Sequence, residues 1–516
     1  MRSRPRKRAP AAPAEARTRP PSVSASPPPS RLAALTERGL SFLVYAGLFP
    51  FLLYLYGDLD WGWHFRYGEY LLTHGHVLRR DIFSWSMEGY PWTNTSWLYD
   101  PLLYLIYTRF SFLGLSVAGA VAALGAFYFG IHPFRLSSWQ KAVLAAVFAT
   151  LTSGVVFQGL RSQVIALLLL SLLMLLLINL REGRTWTYFA LPALFVLWAN
   201  VHGSFVLGLV LFFIFLVGES LPLTRTTPGG RPRNLAYLPA SFFSSVAVTF
   251  INPFTYSVYL ETLGHFHAPV QHYVVEWMPE NLSGPLGYVL GAYTLFLGVG
   301  FVIRRRLSDA PYIAIALALL YLAFGARRDV AIYMVGTLPF AAMIIKDVPL
   351  RRGGYKMAAL GLVALIALAL EIEVFHRFRD FGRFVNYSMD DYCVHGPRFS
   401  VDLTRHLLDH PPRGRGFNVY DWGGYLIGRG VNAKLFIDGR MFIWERDGYR
   451  PIVDYARMYG DGDDLSMFRD YRFDWAIVER GKLLDQALER SSQGLGLRRW
   501  EKRYGDRIAS YYVRRE

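Results

Sequence analysis

WLYDPLLYLIYTRF, residues 97–110, decides how this chain is threaded. It is apolar enough for a bilayer, but its 14 residues rise only about 21 Å as an α-helix, short of a hydrocarbon core of roughly 30 Å. Asp100 lies within it, and a carboxylate at membrane depth is costly. The stretch therefore reads as a helix lying at the interface, ahead of a full span at 112–131.

Working outward, apolar runs lie near 40–57, 112–131, 141–157, 162–180, 186–201, 204–221, 235–251, 286–303, 309–326, 330–346 and 356–373. A membrane helix needs roughly 20 such residues. With 53% of the 516 residues hydrophobic, an ordinary soluble protein is excluded. The expected fold is an α-helical polytopic membrane protein with about eleven transmembrane helices. Parity tests that count. Basic loops mark the cytoplasmic side, and the basic N-terminal tail and loops 181–184, 225–233, 304–306 and 346–356 share one side if 97–110 does not cross. If it crossed, every later loop would invert and three of the most basic would face outward. The net charge of +16 thus serves largely to orient the chain, and nucleic acid is not an expected partner.

Residues 1–38 are rich in Pro, Ala, Ser and Arg and bury too little apolar surface to offset their ordering entropy. Their basic region is longer than a signal peptide's. They read as a disordered basic cytoplasmic tail, followed by a transmembrane domain at 39–373. Residues 374–516 have soluble composition and predict a small extracytoplasmic α/β domain. GFNVYDWGGYLIGRG (416–430) reads as strand, turn and short helix, and AKLFIDGRMFIW (433–444) as a second strand with an Asp-Gly turn. RFDWAIVERG (472–481) and ASYYVRRE (509–516) read as further strands, with LLDQALER (483–490) a helix between them. Asp438-Gly439-Arg440 can contact substrate, but turn chemistry favours a turn pair followed by a surface arginine. The single cysteine, Cys393, precludes an intrachain disulfide and a paired-cysteine metal site.

By the same parity the polar stretches gather on the outer side. The loop at 58–96 opens GDLDWGWHFRYGEY, which sets Asp58 and Asp60 at the membrane surface. Two carboxylates so spaced can share a divalent cation such as Mg or Mn, or divide the tasks of base and orienter. Either can instead N-cap a helix along the membrane. His64, one turn after Asp60, shares its face if 60–73 is helical. Trp61, Trp63, Trp85, Trp92 and Trp97 fit an interfacial aromatic belt.

The run Asp58-Leu59-Asp60-Trp61-Gly62-Trp63-His64, then Gly68-Glu69, His74-Gly75, Asp81-Ile82-Phe83-Ser84, Gly89-Tyr90-Pro91-Trp92 and Trp97-Leu98 resembles the first outer loop of bacterial members of the GT-C glycosyltransferase superfamily. The resemblance extends to Arg161-Ser162-Gln163, the run from Trp198 to Gly203, Asn252-Pro253, Glu276-Trp277, Arg327-Arg328, the run from Tyr420 to Tyr425 and that from Phe436 to Arg440. It covers most of the chain after residue 40. It implies a polytopic enzyme of the cell envelope that moves a hexosyl or pentosyl group from a polyprenyl-phosphate donor to a glycan, lipid or protein acceptor. Asp58 and Asp60 match the superfamily's acidic positions. Ser96 and Asp100 stand where relatives are expected to carry His or Glu and a Glu, respectively.

Further outer-face residues complete the expected substrate site. Arg161, Arg327 and Arg328 can match phosphate oxygens in a bidentate fashion, or anchor helix ends by snorkelling. Gln163 neighbours Arg161. Asn200 and His202 end an apolar span, where an imidazole bonds a ligand or a backbone carbonyl. Glu276 lies with His265, His267 and His272 in one outer loop. No phosphate-binding glycine signature for a nucleotide is present, which fits a lipid-linked donor. Two rival functions remain. A transporter or lipid flippase is expected to show repeats and mid-span ionisable groups, and no clear repeat is visible. A non-catalytic envelope assembly protein, with the C-terminal domain as its binding module, is compatible with every residue.

Overall fold

The computed structural model describes residues 31–221, 237–265, 274–346, 348, 381–460, 465–493 and 500–515. The helices up to residue 346 are α1 (Arg31–Leu52), α2 (Trp61–His74), α3 (Tyr99–Ile131), α4 (Ser138–Val156), α5 (Ser162–Arg181), α6 (Thr187–Val201), α7 (Phe205–Ser220), α8 (Leu238–Val248), α9 (Ser257–Gly264), α10 (Pro285–Arg304), α11 (Ala310–Gly325) and α12 (Asp329–Lys346). Among the described residues, ten of the predicted apolar runs are helical; the eleventh, 356–373, lies outside them. Six described helices are long and apolar enough to cross a bilayer, and three apolar ones are shorter. The chain is a multi-pass membrane protein. α1 begins at Arg31, so residues 31–38, assigned to the tail above, are helical. RLAALTER consists almost wholly of strong helix formers.

The 97–131 region divides where the sequence changes character. Ser111 has φ 54° and ψ −157° inside α3, a backbone that side chains other than glycine rarely adopt. The break separates an arm, residues 99–110, from the long apolar helix beyond it. The arm runs antiparallel to α2. Gly68 abuts the Asp100 carbonyl, Phe65 meets Tyr104 at 5.0 Å and Trp61 meets Tyr107 at 5.0 Å. α5 and α12 are the most buried of the long helices. Their apolar faces are covered by protein on most sides, as expected of helices hydrophobic all round.

The C-terminal part carries a four-stranded sheet of β1 (Gly416–Asn418), β2 (Trp475–Glu479), β3 (Trp500–Gly505) and β4 (Ala509–Arg514), ordered β1-β2-β4-β3. β1 pairs parallel with β2; the other pairs are antiparallel. β3 is absent from the sequence reading, and 433–444 is not the strand predicted there. Its backbone groups are claimed from elsewhere. Leu435 exchanges hydrogen bonds with Phe83 and Trp85 of the outer loop, while the Asn418 side chain accepts from Phe436 N. The segment is therefore held between sheet and outer loop rather than in a ladder.

Helix Tyr420–Arg429 docks on α2 through glycines. A Cβ on Gly62 would come within 1.8 Å of the Gly424 carbonyl, and one on Gly424 within 2.3 Å of the Leu59 carbonyl. Backbone faces backbone, so no side chain can rotate away. Gly424→Ala is expected to destabilise the protein by about 1–3 kcal/mol, the usual cost of overpacking. A lower melting temperature in detergent checks this, with Gly460→Ala, where the space is open, as the neutral control. Equal melting of both variants would refute the docking.

Candidate active site

Asp60 stands at the N-cap position of α2 without a side-chain capping bond. Its carboxylate is directed elsewhere: Oδ1 accepts from the Trp63 indole at 3.0 Å, and the side chain lines a cavity of about 620 Å³. Burial, then the neighbouring Asp58 charge, push its carboxyl up to about 6, against the opposing pull of Arg161 and the Trp63 bond.

Asp58 has a different setting. It is almost wholly buried; its Oδ1 meets Arg161 Nε at 3.1 Å and accepts from Asp60 N at 3.3 Å. The Tyr392 hydroxyl donates to the Asp58 carbonyl at 2.5 Å, tying this turn to the C-terminal part. The two aspartates of one motif thus have separate partners.

Arg161, buried at the start of α5, is the hub. Its Nη1 donates to Gln158 Oε1 at 2.8 Å and lies 3.4 Å from Glu276 Oε2. Burial opposes its charge, but Asp58, Glu276 and Asp60 outweigh burial and keep it protonated. Burial likewise works against Glu276, where Arg161 and Arg328 prevail and lower its carboxyl. Arg328 Nη1 approaches Glu276 Oε1 at 3.7 Å, and its guanidinium lies 3.9 Å from the centre of the Trp277 ring. A cation over an indole face is a favourable pair.

Of the predicted substrate residues, His64, Arg161, Gln163, His202, Glu276 and Arg328 line the cavity together with Asp58 and Asp60. Gln163 Oε1 is buried without a hydrogen-bond partner among the described residues. His202 Nδ1 accepts from Ser204 N at 3.0 Å, which puts the proton of a neutral ring on Nε2. Burial, then Arg328, lower it to about 3, so it is neutral at physiological pH. His64 Nδ1 meets Asp100 at 2.5 Å, and Asn94 donates to the other Asp100 oxygen at 2.6 Å. Asp100 thus holds the His64 ring from behind. Its interruption of an apolar stretch was the available signal.

Two predicted residues are placed otherwise. Asn200 accepts from Trp97 Nε1 at 2.8 Å and donates to the carbonyls of Val196 and Ile251. It joins the arm to α6 and does not line the cavity. Arg327 Nε pairs with Glu280 at 2.8 Å and lines an adjoining space of about 400 Å³.

Arg440 corrects the surface-arginine expectation. Its guanidinium makes two bonds to Asp438, both at 2.7 Å, and one to Asp81 at 2.8 Å. It lies 4.5 Å from the Trp92 ring centre and 5.1 Å from those of Phe83 and Trp444. Asp81 and Trp92 belong to the outer loop, Asp438 and Trp444 to the C-terminal part. Two carboxylates and three rings give the cation a buried position that the Asp-Gly turn alone did not reveal. Glu261, on α9, also lines the cavity and belongs to no motif. Among the described residues no group of three His, Cys, Asp or Glu side chains converges as a metal site.

No family model and no curated protein matches the sequence. Solved structures do match in fold. The archaeal oligosaccharyltransferase AglB of Archaeoglobus fulgidus, in complex with an inhibitory peptide and a dolichol-phosphate, aligns at TM-score 0.60 and 11% identity over 87% of this chain and 70% of that one. ArnT of Cupriavidus metallidurans, bound to undecaprenyl phosphate, aligns at TM-score 0.53 and 13% identity over 93% and 97%. The Archaeoglobus fulgidus oligosaccharyltransferase in complex with Zn and sulfate aligns at TM-score 0.50 and 13% identity over 85% and 68%. These neighbours are GT-C enzymes. The fold of this chain is similar to that of these oligosaccharyltransferase and ArnT structures.

Proposed function

We propose that the chain is a membrane glycosyltransferase that moves a sugar from a polyprenyl-phosphate donor to an acceptor hydroxyl or amide on the extracytoplasmic face. One observation carries this reading: Asp60 faces a cavity whose wall also holds the Arg161–Glu276–Arg328 cluster and an apolar set of side chains. Val206, Leu207 and Val210 of α7 and Ala318, Tyr321 and Leu322 of α11 make up that set, and Val210 and Tyr321 are also exposed on the helix surface. A polyprenyl chain fits such a wall, and a phosphate fits the arginine end. AglB and ArnT were solved with polyprenyl-type phosphates, which supports the donor class.

Asp60 is the base in this mechanism. It takes the acceptor proton as the acceptor heteroatom bonds to the anomeric carbon; the bond from that carbon to the phosphate oxygen breaks, and its electron pair leaves with polyprenyl phosphate. Direct displacement inverts the anomeric centre. Arg328 is the better-placed cation for the departing phosphate, since its carboxylate contacts, at 3.7 Å to Glu276 and 3.9 Å to Asp329, are longer than those of Arg161 to Asp58 at 3.1 Å and Glu276 at 3.4 Å. Electrostatic stabilisation of developing charge is commonly the largest catalytic contribution. Asp58 positions Arg161. That role sits poorly with a resident cation: one of the two carboxylates is neutralised by a guanidinium, and a hard divalent ion seeks six or so oxygens. No step therefore uses a metal. Transfer assayed with purified protein and a panel of undecaprenyl-phosphate sugars tests the reading; a wild-type protein inactive on a broad panel, or an active Asp60→Asn, would reject it.

In this reading the N-terminus lies in the cytoplasm of a bacterium, the helices in its inner membrane and the C-terminal part outside, with residues 97–110 on the outer surface. Cys393 is buried, so engineered cysteines give a clean readout. An impermeant maleimide applied to intact spheroplasts is expected to label Thr73→Cys and spare Glu182→Cys. The reverse pattern would invert the topology.

A further inference from the structure

The cavity holds a further polar pair, beside the Trp277 ring that Arg328 covers. Glu261 and His265 are four residues apart on and just after α9, which places them on one face. Both line the cavity, with Trp92 from the outer loop and Phe442 and Trp444 from the C-terminal part. His265 Nδ1 donates to the Glu261 carbonyl at 2.8 Å, which leaves Nε2 as an acceptor. Phe442 flanks its ring at 5.0 Å. Burial lowers this imidazole to about 4, so it is neutral.

The Glu261 carboxyl has no hydrogen bond or ion pair to another described residue, and burial raises it to about 7. Glu261 is part-buried, and partial withdrawal from water without a donor disfavours the charged carboxylate. Such a cost in a cavity wall is offset when a ligand brings the missing donors. The surrounding surface narrows the ligand. Arg440 holds the Trp92 and Trp444 rings, and Tyr90 stacks on Trp444 at 4.7 Å. Rigid rings beside hydrogen-bond acceptors suit a ring with an apolar C–H face and hydroxyl edges.

We propose that Glu261, with His265 and Trp444, forms the carbohydrate-recognition subsite of the cavity, the carboxylate accepting hydrogen bonds from hydroxyls of a pyranose or furanose ring. This rests on the glycosyltransferase reading and adds the residue that selects the sugar. A site built to bond a hydroxyl discriminates strongly, because its buried polar groups are left unpaired by the wrong ligand. The ring belongs either to the donor lipid or to the acceptor, and the same chemistry serves both.

Binding distinguishes the sources without requiring turnover. Tryptophan fluorescence of the purified full chain in detergent is titrated with undecaprenyl phosphate, with its glucosyl, galactosyl, mannosyl and arabinosyl forms, and with the methyl glycosides of the same sugars. Wild type is expected to bind at least one glycosylated lipid more tightly than undecaprenyl phosphate, or at least one methyl glycoside saturably. Glu261→Ala should weaken that binding by about tenfold or more and leave undecaprenyl phosphate unchanged. Glu261→Gln, which keeps an acceptor oxygen and the side-chain shape, should lose less. Loss on the lipid probes assigns the donor sugar; loss on the methyl glycosides assigns the acceptor. A wild type with no sugar preference, a Glu261→Ala equal to wild type on every probe, or a parallel loss on undecaprenyl phosphate overturns the proposal. Sugar preference in wild type without transfer would overturn the transferase reading alone.

Discussion

Asp60→Asn lowers kcat for sugar transfer by about 10²- to 10⁴-fold, the usual contribution of a positioned general base, and leaves donor KM close to wild type. The substitution keeps the shape of the side chain and an oxygen for the Trp63 indole, whose bond to Asp60 is 3.0 Å, while removing the site that receives the proton. Asp58→Asn behaves differently. It uncouples Arg161, which lies 3.1 Å from Asp58, so both KM and thermal stability change with kcat. The pH profile supplies an independent check. A base works only when ionised, and burial beside Asp58 raises Asp60 to about 6. Transfer in the wild type should therefore fall as pH drops through about 6, well above the range of an exposed aspartate near 3.9. A profile flat down to pH 4, or an Asp60→Asn that keeps full kcat, would exclude Asp60 as the base.

Arg440→Met destabilises the protein by about 3–5 kcal/mol, the cost of breaking a buried ion pair from one side. The guanidinium is enclosed by Asp81 and Asp438, whose side chains are also buried. Methionine fills much of the volume but leaves two carboxylates without their cation. Arg440→Lys should recover part of the loss, since a point charge cannot reproduce the bidentate fork. Because Asp81 belongs to the outer loop and Asp438 to the C-terminal part, the damage should appear first as faster proteolysis between them. Melting and limited trypsinolysis in detergent measure both effects. Loss below about 0.5 kcal/mol, ordinary for a surface substitution, would mean that Arg440 does not hold the two parts together.

Much of the candidate site was legible as a set of residues. Asp58, Asp60, His64, Arg161, Gln163, His202, Glu276 and Arg328 share one cavity wall, although they come from five separate stretches of sequence. What made them legible was polarity beside apolar runs, which is costly in a bilayer. The division of labour within that set was not. Asp58 and Asp60 are equivalent as letters, and only the position of Arg161 makes one an ion-pair partner and leaves the other facing the cavity. Asn200 has the same marks as His202 at the end of the same apolar run, yet its amide is fully used in joining Trp97 to the carbonyls of Val196 and Ile251. Glu261 carries no motif, so its place beside Trp92 and Trp444 could not be read in advance.

By itself the sequence determined that this is a helical membrane protein, where ten of its apolar helices lie and that the C-terminal part mixes strands and helices. Those properties follow from hydrophobic periodicity and run length, which act over short distances along the chain. Even the division at 97–110 was visible, through its short length and Asp100, and it appears as a break at Ser111. Tertiary structure alone decided that 433–444 is no strand but a strap between sheet and outer loop, that Arg440 is buried, and that helix Tyr420–Arg429 rests on α2. Each depends on partners hundreds of residues away: Asp81 for Arg440, Phe83 for Leu435, Gly62 for Gly424. Desolvation and charge pairing are set by those neighbours and by no local pattern.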